Sequence, residues 1–247
     1  MLDTVREKRL LWPTVLALIG LVILISLGNW QMQRLDWKQG LTGAIAERVD
    51  APPVPLSVVE WRSAEGGDVE YTRVTAEGQF LHDREMHLYA LDHAQGPGWH
   101  IVTPLRHSDG TITLVNRGYV PHALKDPQSR QQGQIPGDAR VVGLVRVPAP
   151  QGMFVPANDP QRNIWYWRDV KAMAGVAAPD NPSAVRAYII DAQAEPANPG
   201  GWPKGGTTLL ELPNRHLEYA LTWYGLAGAL IAVFLAFAVN RWRQPTA

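Results

Sequence analysis

No cysteine occurs in the 247 residues. Its absence excludes disulfides, thiolate zinc sites and cysteine nucleophiles together, and leaves the redox compartment open. Net charge is missing as well, because 23 basic residues balance 23 acidic ones. No basic footprint for nucleic acid exists, so none is expected as a partner. There is no G-x-S-x-G turn to present a hydrolase serine. The glycine-rich stretch "GGWPKGGTT" from Gly200 contains Lys204, but not in the order of a phosphate-cradling loop, so a flexible loop is expected there. Asp68 with Glu70 and Asp83 with Glu85 read as ordinary strand and turn charges. These gaps weigh against an enzyme, an envelope enzyme being the residual reading.

What the chain does have is two charge-free apolar runs, one near each end. The first, Leu10 to Trp30, is "LLWPTVLALIGLVILISLGNW", which as a helix extends roughly 30 Å and matches a bilayer core. Trp12 and Trp30 flank it like interfacial anchors. A signal peptide would have a shorter apolar region of about 7–15 residues and a small-x-small cleavage site. "SLGNWQMQR" follows instead, so an uncleaved anchor is expected. "MLDTVREKR" has little of a mitochondrial transit peptide. The second run is Ala220 to Asn240. Two spans put both tails on one side. Arg6, Lys8, Arg9, Arg241 and Arg243 make that side cytoplasmic, the middle segment being too long for its charges to count. The expected organisation is a tail at 1–9, a span at 10–30, an extracytoplasmic domain at 31–216, a span at 217–240 and a tail at 241–247. For a bacterial chain this means a multi-pass inner-membrane protein with a periplasmic domain. A small-residue stripe, Gly225, Ala229, Ala232 and Ala236, is expected to pack against the first span at Ala17 and Gly28.

After Trp30 the helix should continue for a few turns and stop at "APPVPL", where prolines remove donors. From Val69 the texture turns to short strands: "VEYTRVTAEGQF", "REMHLYAL", "GWHIVTPL", "TITLVNRGYVP" and "ARVVGLVRV", followed later by "VRAYIIDA" and "TTLLEL". Close spacing argues antiparallel pairing. "RDVKAMAGVA" is expected as a short helix. The fold class is thus a membrane protein with two transmembrane helices flanking a mainly β (α+β), antiparallel extracytoplasmic domain.

Five histidines lie between His82 and His107, the others being His87, His93 and His100. Zinc needs three or four converging ligands, and His82 and His87 differ in strand parity. Solvent-facing histidines are expected, with no structural metal. Arg117 in "LVNRGYVP" needs a partner inside an apolar strand, so an acid within the sheet is expected beside it, a binding role being the alternative. In "NIWYWRD", Trp165 and Trp167 should share one face as core, with Tyr166 on the other.

The second run is preceded by "LPNRHLEY". Asn214 is a good helix N-cap, and Glu218 in the first turn suits the positive end of the dipole. His216 gains nothing from that end. Its helical neighbours are Tyr219, Ala220, Trp223 and Ala227, so one ligating nitrogen stands above aromatic and small side chains. A flat macrocycle can lie on such a surface with His216 on its iron; a purely structural interfacial histidine is the other reading.

"LGNWQMQRLDWK", "VTAEGQFLHDREM", "GWHIVTPLRHSDGTITLVNRGYVP" and "NRHLEYALTWYGLA" together resemble the Surfeit locus 1 family of assembly factors for haem–copper cytochrome c oxidase, in the family's order. The stretch from Lys125 to Gly205 carries little of the pattern. The resemblance implies a non-catalytic chaperone that transiently holds haem a and helps place it in the large oxidase subunit. The partners it implies are that subunit, the haem a synthesis machinery and membrane lipid. A scaffold that steadies the apo-subunit without haem is the alternative. His216 matches the family's candidate iron ligand, with Tyr219, Trp223 and Arg215 around it, Arg215 available for a propionate. Gly78, Gly118 and Tyr219 match motif positions with structural roles.

Overall fold

The computed structural model describes residues 10–92, 94–210 and 213–243, and the chain divides into two compact units. The first, Met1–Ala44 with Leu210–Ala247, is built on two helices. Helix α1 covers Leu11–Asp50. Pro13 sits in its first turn, where a missing donor costs nothing, and Ala51–Pro52–Pro53 ends it. The last helix, α4, covers His216–Arg243. Both are long and apolar enough to cross a membrane. Arg6, Lys8 and Arg9, which the tail argument uses, lie outside the described residues; Arg241 and Arg243 occupy the last turn of α4.

The pair is antiparallel, with Gly28 under the Tyr224 ring and Gly20 against Leu230. On α1 the less exposed positions recur as Thr14, Ala17, Leu21, Leu24, Gly28, Gln31 and Leu35, alternating steps of three and four, the period of a left-handed helix pair. On α4 they are His216, Ala220, Trp223, Ala227 and Leu230. Ala17 and Gly28 therefore lie on the packing face as expected, but Gly225, Ala229, Ala232 and Ala236 do not: all four are exposed. The reason is register, since Ala220 and Ala227 are small too and share a face with the half-buried Trp223, whereas the other stripe has no large neighbour to fill the groove. A disulfide between cysteines placed at Gly28 or Leu24 and at Ala227 is expected to form in high yield, and one using Gly225 to fail. Gel mobility under oxidation reads this out cleanly in a chain without native cysteine.

The second unit, Ile45–Leu209, is a seven-stranded sheet. Its strands are β1 Val54–Pro55, β2 Arg73–Phe80, β3 Met86–Asp92, β4 Gly96–Arg106, β5 Ile112–Pro121, β6 Asp138–Arg146 and β7 Val185–Ala192. The order is β1-β2-β6-β7-β5-β4-β3, and the end of β2 also pairs with the end of β4, Phe80 opposite Leu105, closing a ring. Antiparallel pairing holds for most neighbours, but β5–β7 and β1–β2 are parallel, so the sheet is mixed. The parallel pair arises because β7 returns through a long connection and inserts between β6 and β5. Two short helices cover the sheet: α2, Leu56–Ala64, which begins where the prolines end α1's continuation and was not foreseen, and α3, Val170–Ala177, capped by the Asp169 carboxylate at 3.0 Å from the Ala172 amide. Residues 207–210 form no strand; Glu211 and Leu212, the rest of the expected "TTLLEL" strand, lie outside the described residues.

β5 is buried on both faces. Val115 joins Val74, Leu105, Val145 and Ile190 beneath α2, while Leu114 joins Met86, Trp165, Met173 and Ile189 beneath α3. Trp165 is fully buried and Tyr166 exposed as expected, but Trp167 is only half-buried, and the segment makes isolated bridges, Trp165 to Leu88 and Ile164 to Asp159, rather than a strand. Gly118 has φ +122, and a Cβ there would collide with the Lys204 carbonyl, whose oxygen accepts from the Tyr119 amide at 2.9 Å. Gly118→Ala is expected to cost at least about 2–3 kcal/mol, from strain plus overpacking, seen as a lower urea midpoint.

Candidate functional site

Titratable groups in the sheet unit form two buried clusters. Asp191, 1 % exposed, is the hub of the first. Its carboxylate accepts from Asn116 Nδ2 at 2.8 Å, Arg168 Nη2 at 2.8 and 3.1 Å, Thr208 Oγ1 at 2.9 Å and Arg146 Nη1 at 3.3 Å. Arg146 also reaches Glu70 at 2.8 Å. In the second cluster Glu85 receives both terminal nitrogens of Arg130, and His87 Nε2 stands 2.9 Å from Glu85 Oε1. Burial pushes the Glu85 carboxyl up, but hydrogen bonds from His87 and Arg130 outweigh it and hold the pKa below its ordinary value.

These contacts correct the expectation of solvent-facing histidines. His87 is buried, His107 bonds the Glu77 carbonyl at 2.6 Å and Thr113 at 2.8 Å, and His82 bonds the Ile135 carbonyl at 3.0 Å. His93 lies outside the described residues. No group of metal-holding side chains occurs among the described residues. Burial lowers the pKa of His82, His107 and especially His100, the last to about 4, where the Arg168 charge adds to it. A histidine whose folded pKa lies below its unfolded value of about 6.5 binds its proton only on unfolding across that window. Stability is then intact above pH 6.5 and falls as pH drops toward 4. Thermal midpoints measured from pH 7 to 4 are expected to decline, with His100→Gln flattening part of that slope.

Arg117 departs from expectation too. It is 1 % exposed, yet no acid pairs with it among the described residues. Nη2 donates to the Gly133 carbonyl at 2.5 Å and Asn198 Oδ1 at 2.8 Å, and the guanidinium lies 4.7 Å from the Phe80 ring centre. The buried acids Glu85 and Asp191 are already committed, the first to Arg130 and the second to Arg146 and Arg168.

In the helical unit, His216 is the first residue of α4 and half-buried. Asn214 Oδ1 accepts from the His216 amide at 3.4 Å, the capping role expected. His216 Nδ1 stands 2.8 Å from Gln31 Oε1, and Gln31 is buried on α1. In the tautomer that donates from Nδ1 to this amide oxygen, Nε2 is left with its lone pair. That is how an outer partner orients a metal-ligating histidine. Nε2 makes no hydrogen bond among the described residues. The sequence places Gln31 where the first span emerges, at the depth of His216, without marking it as the partner. Its signal was a polar residue three positions after Gly28, on the helix-packing face.

The other expected site residues separate. Trp223 is half-buried on the His216 face, Ala220 and Ala227 are buried against α1, and Tyr219 is 53 % exposed. Arg215 is exposed and 3.7 Å from Glu218. Tyr224 donates to Asn29 Oδ1 at 2.7 Å, two residues before Gln31. The His216–Ala220–Trp223–Ala227 stripe is thus a packing face whose small residues are covered. Ala220 therefore offers no open surface for a flat ligand, while Tyr219 and Arg215 are exposed. The donor chemistry fits a haem iron.

Comparison with known proteins gives a family match: the profile described as "SURF1 family" matches residues 18–228. Mouse Surfeit locus protein 1 is 39 % identical over 231 residues, covering 87 % of this chain and 72 % of its own length. The human protein of the same name is 37 % identical over 224 residues, covering 84 % and 71 %. A SURF1-like protein of Caenorhabditis elegans is 32 % identical over 246 residues, covering 89 % and 72 %.

Proposed function

This chain belongs to the SURF1 family, and we propose that it is a non-catalytic assembly factor for haem–copper cytochrome c oxidase that holds haem a as cargo and assists its placement in the large oxidase subunit. The observation that carries the haem reading is the His216–Gln31 contact at 2.8 Å, which engages Nδ1 and leaves Nε2 without a hydrogen bond among the described residues. The iron supplies a Lewis-acid centre for one imidazole. The chain's residues supply that imidazole, its orientation through Gln31, an aromatic neighbour in Tyr219 or Trp223, and a guanidinium in Arg215 for a propionate. The proposed setting is a bacterial inner membrane with both termini cytoplasmic, supported by the two apolar helices and the basic residues beside them. Haem a synthesis machinery and the large subunit are the proposed partners.

A scaffold without haem is the second reading, supported by the coverage of Ala220 and Ala227, which removes the apolar platform first expected for a macrocycle. One preparation separates the two. Full-length protein co-produced with haem a synthesis and purified in detergent carries a haem a absorbance band under the chaperone reading. A colourless protein that still captures the large subunit supports the scaffold.

A further inference from the structure

At the outer end of the first apolar run, Trp30, Arg34 and Trp37 follow one another at steps of four and three, so they share one strip of α1. All three are exposed, Trp30 by 48 % and Trp37 by 61 %. The face that packs on α4 runs through Gly28, Gln31 and Leu35, which leaves this strip turned away from the second helix. The guanidinium carbon of Arg34 stands 5.9 Å from the Trp30 ring centre and 5.6 Å from that of Trp37. Both distances are within cation–π range, so two indoles share one charge.

No acid pairs with Arg34 among the described residues. Asp36, two positions on, points round the other side of the helix. Arg215 already has Glu218 at 3.7 Å, and Lys38 gives its ammonium to the Pro213 carbonyl. The rings attract the Arg34 charge but supply no oxygen to its five N–H donors. A planar guanidinium with open donors matches two oxygens of one phosphate, which an ammonium does not.

Depth selects the ligand. With α1 crossing the membrane, Trp30 marks the outer limit of the hydrocarbon. Arg34 is four residues further on, roughly 6 Å at 1.5 Å per residue. The headgroup layer on each side is about 5–7 Å thick, so Arg34 stands at the level of the lipid phosphates. Helical side chains lean toward the N-terminus, here toward the bilayer, and Trp37 thereby reaches back over the same layer. A free phosphate has nothing apolar to set against two exposed indoles, whereas a phospholipid brings a glycerol and acyl stem.

We propose that Trp30, Arg34 and Trp37 form a binding site for one anionic phospholipid of the outer leaflet, its phosphodiester on the Arg34 donors and its acyl stem along Trp30. A zwitterionic headgroup fits less well, because its own ammonium meets the Arg34 charge and both indoles are already engaged. The site rests on the transmembrane reading of α1 and is independent of the haem reading.

Native mass spectrometry of the full-length protein in detergent, offered equal amounts of phosphatidylglycerol and phosphatidylcholine, tests the proposal. One phosphatidylglycerol should be retained in preference to phosphatidylcholine. Arg34→Gln should weaken that adduct by about ten-fold or more, and the exposure of Arg34 keeps the variant folded. Arg140→Gln makes the same charge change on an exposed part of the sheet unit and should leave the adduct intact. Arg34→Lys should restore only part of it, because a point charge offers no fork of parallel donors. Equal retention of the two lipids, an intact adduct in Arg34→Gln, equal loss in Arg140→Gln, full rescue by lysine, or complete displacement by inorganic phosphate would each overturn the proposal. Insertion is read separately, by resistance to alkaline carbonate. Release of the parent would sink the span reading and the site with it, whereas firm insertion with headgroup-blind binding would sink the site alone.

Discussion

On the haem reading proposed above, the His216→Ala protein is expected to purify without the haem a band expected of its parent, at unchanged yield and with unchanged membrane insertion. Only one ring nitrogen is free at the start of α4, so its removal takes away the iron donor, and the neighbouring groups offer no replacement. Insertion is preserved because the helix contacts below, at Ala220, Trp223 and Ala227, do not involve the imidazole. Gln31→Leu should give an intermediate result. The imidazole remains but loses the amide oxygen that fixes its tautomer, and the loss of such a second partner typically weakens metal binding by roughly 10–100-fold. Glu218→Gln should leave the spectrum unchanged, since its 3.7 Å approach to Arg215 joins two exposed side chains and such pairs contribute ~0–1 kcal/mol. The decisive measurement is the absorbance ratio of haem to protein after co-production. An unaltered band and affinity in His216→Ala would return the residue to a structural role at a wet helix end.

Asp191→Ala is expected to be the most damaging single change in the sheet unit. The carboxylate neutralises Arg168 and Arg146 and holds Asn116 and Thr208. Removing it strands guanidiniums that are already partly desolvated, and breaking a buried pair from one side costs about 3–5 kcal/mol. At roughly 2–4 °C per kcal/mol for domains of ~150–250 residues, the thermal midpoint should fall by about 10 °C, a large share of the ~5–15 kcal/mol that holds a domain together. Asp191→Asn keeps the shape and some acceptors, and should lose less. If Asp191→Ala melted within a degree or two of the parent, the network would be hydrated and energetically idle.

The two long apolar helices, the proline stop after the first, the strands from β2 to β7 and the helix around Met173 were all legible in the chain. Each rests on a local rule: a charge-free run long enough to span, a residue that cannot donate, or an alternation with period two. His216 was legible for the same reason, as a histidine out of place at the positive end of a helix. The partners of the buried charges were not. Arg117 sits three residues from Leu114 in an apolar strand, so the sequence demanded a partner without saying which. Asp191, an acid inside the sheet 74 positions away in sequence, pairs with Arg146 and Arg168 and not with Arg117, because β7 slides between β6 and β5 and turns that carboxylate toward them. Gln31 meets His216 across an antiparallel helix pair, and Gly28 packs on Tyr224 for the same reason. Composition and periodicity specify what each segment must bury or cap. Which segment supplies the burial depends on strand order and helix register, and those are settled by packing between residues far apart in the chain, where no local signal reaches.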